Sequence, residues 1–338
     1  MREIRKEEHI ENYLKSAYKG DNLLSDIYIE YNALPELDFE QINTESELFG
    51  KTTKFPLMIN AMTGGTEVCE EINADLARIA KEFSIPIALG SQKIALENDE
   101  SIKTFSIVRE IVGDKNVVIG NLSSNSSLKE VKRARNMIDA DAMQLHVNPV
   151  QELVMKEGDR KFSGILENIS NIIEELDQPV IVKEVGFGLS AQAVSRLYDK
   201  GARYIDIAGH GGTNFVEIEN NRRFDCDFED FYPWGIPTAK ILLDIKKDRK
   251  EDLFLISSGG LKSGQCIVKS FILGADYVGI SGEILSYLLY GGYEQARDYV
   301  ESLIAKTKIA MLLLGAKDLE DLKKIPYKVT GRLKELTE

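Results

Sequence analysis

Eight short apolar runs rich in β-branched residues recur along the chain, and amphipathic segments separate them. The runs predict eight β-strands, at Pro56–Ala61, Ile85–Gly90, Val117–Asn121, Ala142–His146, Val180–Lys183, Tyr204–Ala208, Phe254–Ser258 and Tyr277–Ile280. The segments between them have the apolar spacing of a helix and predict helices at Val68–Phe83, Ser101–Val112, Leu128–Ile138, Ile165–Leu176, Ala191–Lys200, Pro237–Lys246 and Ser263–Leu273. This alternation is typical of parallel strands that are covered by helices.

The residues at the strand ends decide between an open sheet and a closed barrel. Polar motifs follow seven of the eight runs. An open doubly wound sheet usually carries its ligand motif after one or two strands, whereas a barrel brings all strand ends to one face. The sequence therefore predicts the α/β class, with a single (β/α)8 TIM barrel.

The barrel is expected to occupy residues 51–338, after an N-terminal extension of residues 1–50 with a helix over Glu7–Tyr18. Residues 293–315 predict a covering helix, followed by a polar, lysine-rich tail. No Pro/Ser-rich linker is present, which favours one domain. The segment Gly211–Pro233 is long for a connector and is predicted to be a lid. Its aromatic residues are Phe215, Phe224, Phe228, Phe231 and Tyr232.

Composition and charge restrict the classes of partner. With 42 Lys and Arg against 55 Asp and Glu, the chain of 338 residues has a formal net charge of −13, which offers no general attraction for nucleic acid or an anionic membrane. The three cysteines form no C-x-x-C pair, and no apolar stretch is long enough for a membrane span or resembles a signal peptide. We expect a cytoplasmic protein that holds any anionic ligand in a local site.

Two glycine-rich strand ends predict a phosphate site. Residues 257–264, with Gly259 and Gly260, follow the seventh strand, and residues 279–282, with Ser281 and Gly282, follow the eighth. Backbone N–H groups of such loops can bind a phosphate without a basic residue. Glycines needed only for tight turns would explain one loop more easily than two. In this barrel position the phosphate commonly belongs to FMN.

Other strand ends predict contacts with the flavin ring. The residues at these positions are Ala61, Met62, Thr63, Ser91, Asn121, Lys183 and Thr213. A lysine beside the ring would stabilise the anionic reduced flavin. A salt bridge to the adjacent Glu184 or to another carboxylate is the alternative for Lys183, and the glycines before Thr213 could serve only to begin the long loop.

The fourth strand and the turn after it form the most specific segment. Alternation places Gln144 and His146 on one face, and the turn presents Asn148, Gln151 and Glu152. Glu152 is a candidate Mg²⁺ ligand, because Mg²⁺ commonly takes one or two carboxylates and completes its shell with water and phosphate oxygens. The alternative for Glu152 is an acid that complements the helix dipole. The three histidines, His9, His146 and His210, lack the spacing of a histidine-built metal centre.

The chain resembles the type II isopentenyl-diphosphate isomerase family. The motifs that carry this resemblance are Arg5-Lys6-x-x-His9, Met62-Thr63-Gly64-Gly65, Gly90-Ser91-Gln92, the segment Gln144–Glu152, Gly211-Gly212-Thr213-Asn214 and Ser258-Gly259-Gly260. The resemblance implies a barrel that binds FMN, works with reduced flavin and Mg²⁺, accepts electrons from NADPH, and interconverts isopentenyl and dimethylallyl diphosphates. It also implies a homo-oligomer, a homotetramer or a homo-octamer.

The resemblance also implies roles for individual residues. The substrate diphosphate would be bound by Arg5, Lys6, His9, Ser91, Gln92, Lys93, His146 and Asn148, with Gln151 near the allylic carbons and Glu152 on Mg²⁺. FMN would be contacted by Ala61, Met62, Thr63, Ser91, Asn121, Lys183, Thr213, Gly259, Gly260, Ser281 and Gly282. Gln151, Lys183 and His146 are the expected catalytic residues. Lys93 stands where arginine is common, and Ser281 stands where alanine is usual. Lysine keeps the charge but loses bidentate geometry, so we expect a different affinity for the diphosphate but the same type of reaction.

Two other functions are compatible with parts of the sequence. An FMN-dependent 2-hydroxy-acid oxidoreductase uses the same barrel, but it needs an arginine close to its histidine base, and the motif His210-Gly211-Gly212-Thr213 lacks one. A noncatalytic FMN-binding sensor is the alternative from another class. The general base of the isomerase is also open: Gln151 is a poor base, and the flavin is the better candidate.

Overall fold

Eight parallel strands close into a barrel in which neighbouring strands are consecutive in the sequence. The computed structural model describes residues 2–222 and 225–338, so Phe224 of the predicted lid lies outside the described residues. The strands are β1 Ile27–Tyr28, β2 Ser46–Leu48, β3 Lys51–Thr53, β4 Leu57–Ile59, β5 Ile87–Ala88, β6 Val118–Ser123, β7 Ala142–His146, β8 Val180–Lys183, β9 Tyr204–Asp206, β10 Phe254–Ser258, β11 Tyr277–Ile280 and β12 Lys328–Val329. Strands β4 to β11 form the barrel, which confirms the predicted fold class.

Helices surround the barrel and connect its strands. They are α1 Arg2–Lys15, α2 Glu67–Phe83, α3 Lys93–Glu97, α4 Lys103–Val112, α5 Leu128–Met137, α6 Pro149–Val154, α7 Ile165–Glu175, α8 Ala191–Asp199, α9 Phe215–Asn220, α10 Thr238–Lys247, α11 Gly264–Ile272, α12 Gly282–Leu313, α13 Leu319–Leu322 and α14 Gly331–Thr337. Within the described residues, no helix has the length and apolar character needed to cross a membrane.

The inside of the barrel is divided into an apolar and a polar layer. Side chains alternate between the two sides of a strand, so every second residue points inward. Near the beginnings of the strands the inward residues are apolar and fully or almost fully buried, among them Met58, Ile119, Ile181 and Ile256. Two residues further along the strands, the inward side chains are polar. The apolar layer carries the packing, and the polar layer faces the candidate site.

A short hairpin closes the apolar end of the barrel. Strands β2 and β3 pair antiparallel, and Leu48 at the end of β2 packs into the apolar layer. The hydroxyl of Tyr277, on β11, lies 2.7 Å from Oγ1 of Thr53 on β3. The turn of this hairpin contains residue 50, where the extension was expected to end. The extension therefore reaches the apolar end of the barrel, where the barrel strands begin, before it leads into the first of them.

Three parts of the structure differ from the predicted elements. The first helix covers Arg2–Lys15 instead of Glu7–Tyr18. Gly292, where φ is +76°, divides α12 into two parts; the second begins at residue 293, as predicted, and ends at Leu313, whereas the first part, from Gly282, was not predicted. The polar, lysine-rich tail contains elements that were not predicted: strand β12 pairs with β1, and α14 buries Leu333.

The predicted lid contains ordered structure. Asn214 caps α9 by accepting hydrogen bonds from the backbone N–H groups of Val216 and Glu217. The two ends of the long loop are joined where the N–H of His210 donates to the carbonyl of Ile236. These contacts hold α9 over the open end of the barrel.

Removing the Tyr277 hydroxyl should destabilise the closed end of the barrel. Tyr277→Phe leaves the buried Thr53 hydroxyl without this donor, and a loss of about 1–2 kcal/mol in the free energy of unfolding is expected. Urea denaturation measures this, with Tyr198→Phe as the control because that hydroxyl bonds Asp252 on the surface. Equal stability of the Tyr277 variant and the wild type would contradict the role given to this contact.

Candidate active site

Two adjoining cavities of about 300 and 510 Å³ lie at the carboxyl ends of the barrel strands. They share a wall formed by Tyr13, Lys183, Val185, Thr213, Ser281 and Gly282. The smaller cavity is lined mainly by the loops after β8 to β11 and by the end of α1 with the segment that follows it, and the larger one mainly by the loops after β4 to β8 and by α1. All residues predicted to bind substrate, cofactor or metal line one or both cavities, with Gln92 as the exception.

Close-packed glycines form the smaller cavity. Gly259 and Gly260 have φ of +102° and +76°, and a Cβ atom on either would lie 1.9 or 2.2 Å from a backbone oxygen. A Cβ on Gly282 would lie 2.4 Å from the Tyr13 hydroxyl. Gly259 and Gly260 are therefore required for the close approach of the backbone segments, and Gly282 leaves room for the Tyr13 side chain. A glycine-lined cradle with no room for side chains suits a phosphate group.

A chain of buried hydrogen bonds forms the floor of the site. Asp206 accepts a hydrogen bond from the Ser258 hydroxyl and one of 2.6 Å from the side-chain amide of Asn60. The oxygen of Asn60 accepts from Nε2 of Gln144 at 3.0 Å, and the oxygen of Gln144 accepts from Nδ2 of Asn121 at 2.9 Å. This series of hydrogen bonds ends at His146. It joins strands β6, β7, β9 and β10 and the residue after β4 across the barrel.

The polar floor fixes the tautomer of His146. Oδ1 of Asn121 lies 2.8 Å from Nδ1 of His146, and an amide oxygen can only accept, so Nδ1 carries the proton. Burial, followed by the positive charges of Lys183 and Lys6, lowers the pKa of His146 to about 3. His146 is therefore neutral near pH 7, and Nε2 is its hydrogen-bond acceptor.

Lys183 lies between the two cavities and does not pair with Glu184. Nζ of Lys183 donates to the backbone carbonyl of Glu184 at 2.6 Å. The carboxylate of Glu184 points elsewhere: its Oε2 accepts hydrogen bonds from four backbone N–H groups, those of residues 185–188. Within the described part of the chain, no carboxylate oxygen lies within 4.0 Å of the Lys183 ammonium group. The ammonium charge is thus available to a ligand in either cavity.

Gln92 and Thr63 are placed differently from the other predicted residues. Gln92 is fully buried; its Oε1 accepts from the backbone N–H of Asn121, and its Nε2 donates to the carbonyl of Ala134. It positions Asn121 instead of lining a cavity. Thr63 lines the larger cavity, but its Oγ1 lies 2.7 Å from Sγ of the buried Cys69.

Helix α1 brings three basic residues over the larger cavity. Lys6 donates to the carbonyl of Ser91 at 3.2 Å, which attaches the helix to the end of the second barrel strand. Nη1 of Arg5 lies 3.9 Å from Glu157, and Nε2 of His9 lies 2.8 Å from Oε1 of Glu219. The extension therefore supplies a positive wall to a cavity whose floor belongs to the barrel.

The turn after β7 presents an acid and two amides to the same cavity. Nδ2 of Asn148 donates to Oε1 of Gln151 at 2.9 Å and to Oε1 of Glu152 at 3.1 Å. Oε2 of Glu152 accepts from the backbone N–H of Asp159 at 2.7 Å. Each Glu152 oxygen keeps one further lone pair, which suits a hard cation that is also bound by phosphate oxygens. The described residues contain no group of three or more His, Cys, Asp or Glu side chains arranged for a metal ion.

Lys93 lines the larger cavity but forms an ion pair with Glu130. The contact with Lys93 is the main reason why the pKa of Glu130 falls to about 2. An anionic ligand has to compete with this carboxylate for the Lys93 charge.

Sequence reasoning missed several residues of the site. Glu219 on α9 is almost fully buried and contacts both His9 and Gln151, whose Nε2 donates to it at 3.0 Å. Burial alone would raise the pKa of Glu219, but the contacts with His9, Gln151 and Arg222 lower it to about 2. In the sequence Glu219 is one of many acids in the loop, so nothing separates it from solvated ones. Asn60 and Asp206 could have been found from their inward positions on strands β4 and β9.

The cavities fit FMN. The glycine cradle suits a phosphate, and the free ammonium group of Lys183 lies beside the connection to the larger cavity. The buried amides of the floor offer fixed hydrogen-bonding groups to a flat polar ring. Residues from seven barrel strands or their loops would hold it.

Comparison with known proteins supports a common family. The family model for FMN-dependent dehydrogenases matches residues 112–327. The isopentenyl-diphosphate delta-isomerase of Listeria innocua is 40% identical over 337 residues, which cover 98% of this chain and 93% of that protein. The isopentenyl-diphosphate delta-isomerase of Bacillus licheniformis is 41% identical over 328 residues, which cover 97% of this chain and 93% of that protein.

Solved structures with the same fold are more distant in sequence. A mandelate oxidase structure with (S)-2-phenylpropionate has a TM-score of 0.67 at 18% identity and covers 95% of this chain and 94% of its own. A mandelate oxidase structure with 3,3-difluoro-2-hydroxy-3-phenylpropionic acid has a TM-score of 0.66 at 18% identity and covers 96% and 95%. These similarities bear on the fold alone. The family match and the near-complete alignments at about 40% identity confirm the predicted resemblance, and the chain belongs to the isopentenyl-diphosphate delta-isomerases within the FMN-dependent dehydrogenase family.

Proposed function

We propose that the protein interconverts isopentenyl and dimethylallyl diphosphates by a 1,3-proton shift, with bound FMN in its reduced form and with Mg²⁺. The observation that carries the proposal is the presence of two anion-binding ends in one connected space. One end is the glycine cradle around Gly259 and Gly260. The other is the basic wall of Arg5, Lys6 and His9. A flavin phosphate and a substrate diphosphate can thus be bound at the same time, with Lys183 between them.

The reaction moves a double bond without net oxidation. One proton is added to the terminal alkene carbon and one is removed from C2, so the atoms and electrons of substrate and product balance. An unactivated alkene is a poor base, and few side chains are acidic enough to protonate it. Reduced FMN supplies proton-transfer chemistry at its ring when it is bound.

The residues of the chain bind and orient the reactants in this proposal. Lys183 provides the positive charge that stabilises an anionic ring. His146 faces the diphosphate with Nε2, and its neutral state follows from burial and the two nearby lysines. The amide of Gln151 is held by Asn148 on one side and Glu219 on the other, so its position near the prenyl chain is fixed.

Mg²⁺ is proposed to be bound by Glu152 and by the diphosphate oxygens. The carboxylate lines the cavity that contains Arg5 and Lys6, so both phosphate groups and a cation can meet there. NADPH is the proposed reductant of FMN. The cytoplasmic location and a homotetramer or homo-octamer stay predictions.

The competing oxidoreductase function would need the histidine after β9 as a base in the cavity. His210 is almost fully buried, its Nε2 lies 3.1 Å from the Tyr18 hydroxyl, and it lines neither cavity. This placement favours the isomerase over a 2-hydroxy-acid oxidoreductase. A noncatalytic FMN-binding sensor is distinguished from the isomerase by turnover.

Turnover with catalytic NADPH tests the proposed function. The purified protein is incubated anaerobically with FMN, NADPH, Mg²⁺ and isopentenyl diphosphate. More dimethylallyl diphosphate than NADPH consumed is expected, because the reaction needs reduced flavin but transfers no net electrons. Stoichiometric loss of NADPH without the isomer would support an oxidoreductase, and binding of FMN without either change would support a sensor.

Replacing Lys183 should weaken the stabilisation of the reduced flavin. For Lys183→Met, kcat should fall about 100-fold, a usual effect of removing one group that stabilises developing charge. The reduction potential of the bound FMN should fall as well, because the reduced anion loses its counter-charge. Lys103→Met, at an exposed lysine far from the cavities, is the control. An unchanged potential would refute the role of Lys183.

Replacing Glu152 tests the metal assignment. Glu152→Gln keeps the shape but removes the charge, so activity should fall at least about tenfold and its dependence on Mg²⁺ concentration should weaken. Initial rates over a Mg²⁺ titration measure both effects. Glu110→Gln, on the outer helix α4, controls for loss of one acid. Wild-type rates and an unaltered Mg²⁺ titration curve would show that Glu152 is not the ligand.

A further inference from the structure

One arginine outside the cavities contacts three carboxylates at once. Nε of Arg222 lies 2.8 Å from Glu8, Nη2 lies 2.9 Å from Glu157, and Nη1 contacts Glu219. The Arg222 side chain is only 14% exposed, and Glu219 is almost fully buried. Arg222 lines neither cavity, so it does not contact a ligand there itself.

The three carboxylates belong to three separate parts of the site. Glu8 is on α1, next to His9; Glu157 follows α6, the helix that carries Glu152; and Glu219 is on α9 of the long loop. Each part supplies groups to the larger cavity. A planar guanidinium can hold several carboxylates in a fixed geometry, which a lysine cannot do. Arg222 therefore joins the N-terminal extension, the turn after β7 and the loop after β9.

The same acids contact the basic groups that face the cavity. Glu157 lies 3.9 Å from Arg5, and Glu219 lies 2.8 Å from His9. Without Arg222 these carboxylates would have Arg5 and His9 as their nearest basic side chains, and their negative charge would repel an anionic ligand. With Arg222 in place, its guanidinium group balances part of the negative charge of Glu157 and Glu219 from outside the cavity.

We propose that Arg222 is a positioning residue that assembles the diphosphate-binding wall of the site and shields it from the adjacent acids. This inference rests on the proposed function, because it takes a diphosphate as the ligand of the larger cavity. The glycine cradle is built by β10, β11 and the loops after them, and Arg222 does not contact it. Its effect is therefore confined to the substrate and does not extend to the flavin.

The test compares Arg222→Met with Arg297→Met in the full-length, FMN-loaded protein. Arg297 is a matched control because its guanidinium also contacts three carboxylates, those of Glu82, Asp298 and Glu301, and it lines neither cavity. The measurements are kcat and KM for isopentenyl diphosphate and the Kd of FMN. Arg222→Lys is included because it keeps the charge but loses the fork, and because it is the milder change if Arg222→Met does not fold.

Arg222→Met should raise KM at least about 30-fold, as expected when one partner of a buried charge pair is removed. The change in kcat should be smaller, the Kd of FMN should stay within about twofold, and Arg222→Lys should lie between the wild type and Arg222→Met. Arg297→Met should match the wild type. An unchanged KM, an equal rise in the Kd of FMN, or the same rise in KM for Arg297→Met would overturn the proposal, because each indicates a merely structural ion pair.

Binding of inorganic pyrophosphate separates this inference from the proposed function. Calorimetric titration of the FMN-loaded protein measures its Kd without turnover. If the wild type binds pyrophosphate and Arg222→Met binds it at least about 30-fold more weakly, the role of Arg222 is supported even where no isomer is formed. If the wild type forms the isomer but both proteins bind pyrophosphate equally well, the role of Arg222 is refuted and the proposed function is kept.

Discussion

The site depends on one interaction, the hydrogen bond between a buried acid and an amide. Asp206 accepts from the side-chain NH₂ group of Asn60, which fixes the orientation of this amide and leaves its oxygen for the next donor. Each following amide is then oriented by the one before it, until the chain reaches Nδ1 of His146. The ring nitrogen of His146 that carries the proton is thus determined by contacts that begin at Asp206, on another strand of the barrel. Rigidity of this kind requires that every group in the network has its partner, since an unpaired buried amide is costly.

The barrel and the extension have complementary tasks. The barrel contributes the floor and a cradle that admits no side chains, while α1 contributes the long basic side chains of Arg5 and Lys6. Long basic side chains on a separate helix can adapt to a flexible diphosphate, whereas a flat ring is better held by fixed groups. A chain with a net charge of −13 therefore binds anions by local arrangement and not by its overall field.

The fold was predictable because strand and helix patterns alternate and because polar residues follow nearly every strand. Four of the eight predicted strands, such as Ala142–His146, have the same bounds in the structure. The motif residues were also brought together, because the strand ends of a barrel converge on one face. The partners of these residues were not predictable. Nothing in the sequence distinguishes Glu219 from solvated acids of its loop, or shows that Gln92 points into the core, because both depend on packing between distant segments. The elements of the C-terminal tail, β12 and α14, were not predicted for the same reason.

In the turn after β8, a side chain of the protein itself occupies backbone N–H groups that could otherwise bind an anionic ligand. Four consecutive N–H groups there converge on one oxygen of Glu184. Burial raises the pKa of this carboxyl group, while the four donors favour its charged form. Such a turn is an anion receptor in its own right. Because the Glu184 side chain occupies the N–H groups of this turn, a phosphate group on that side of Lys183 is left to the loops after β10 and β11.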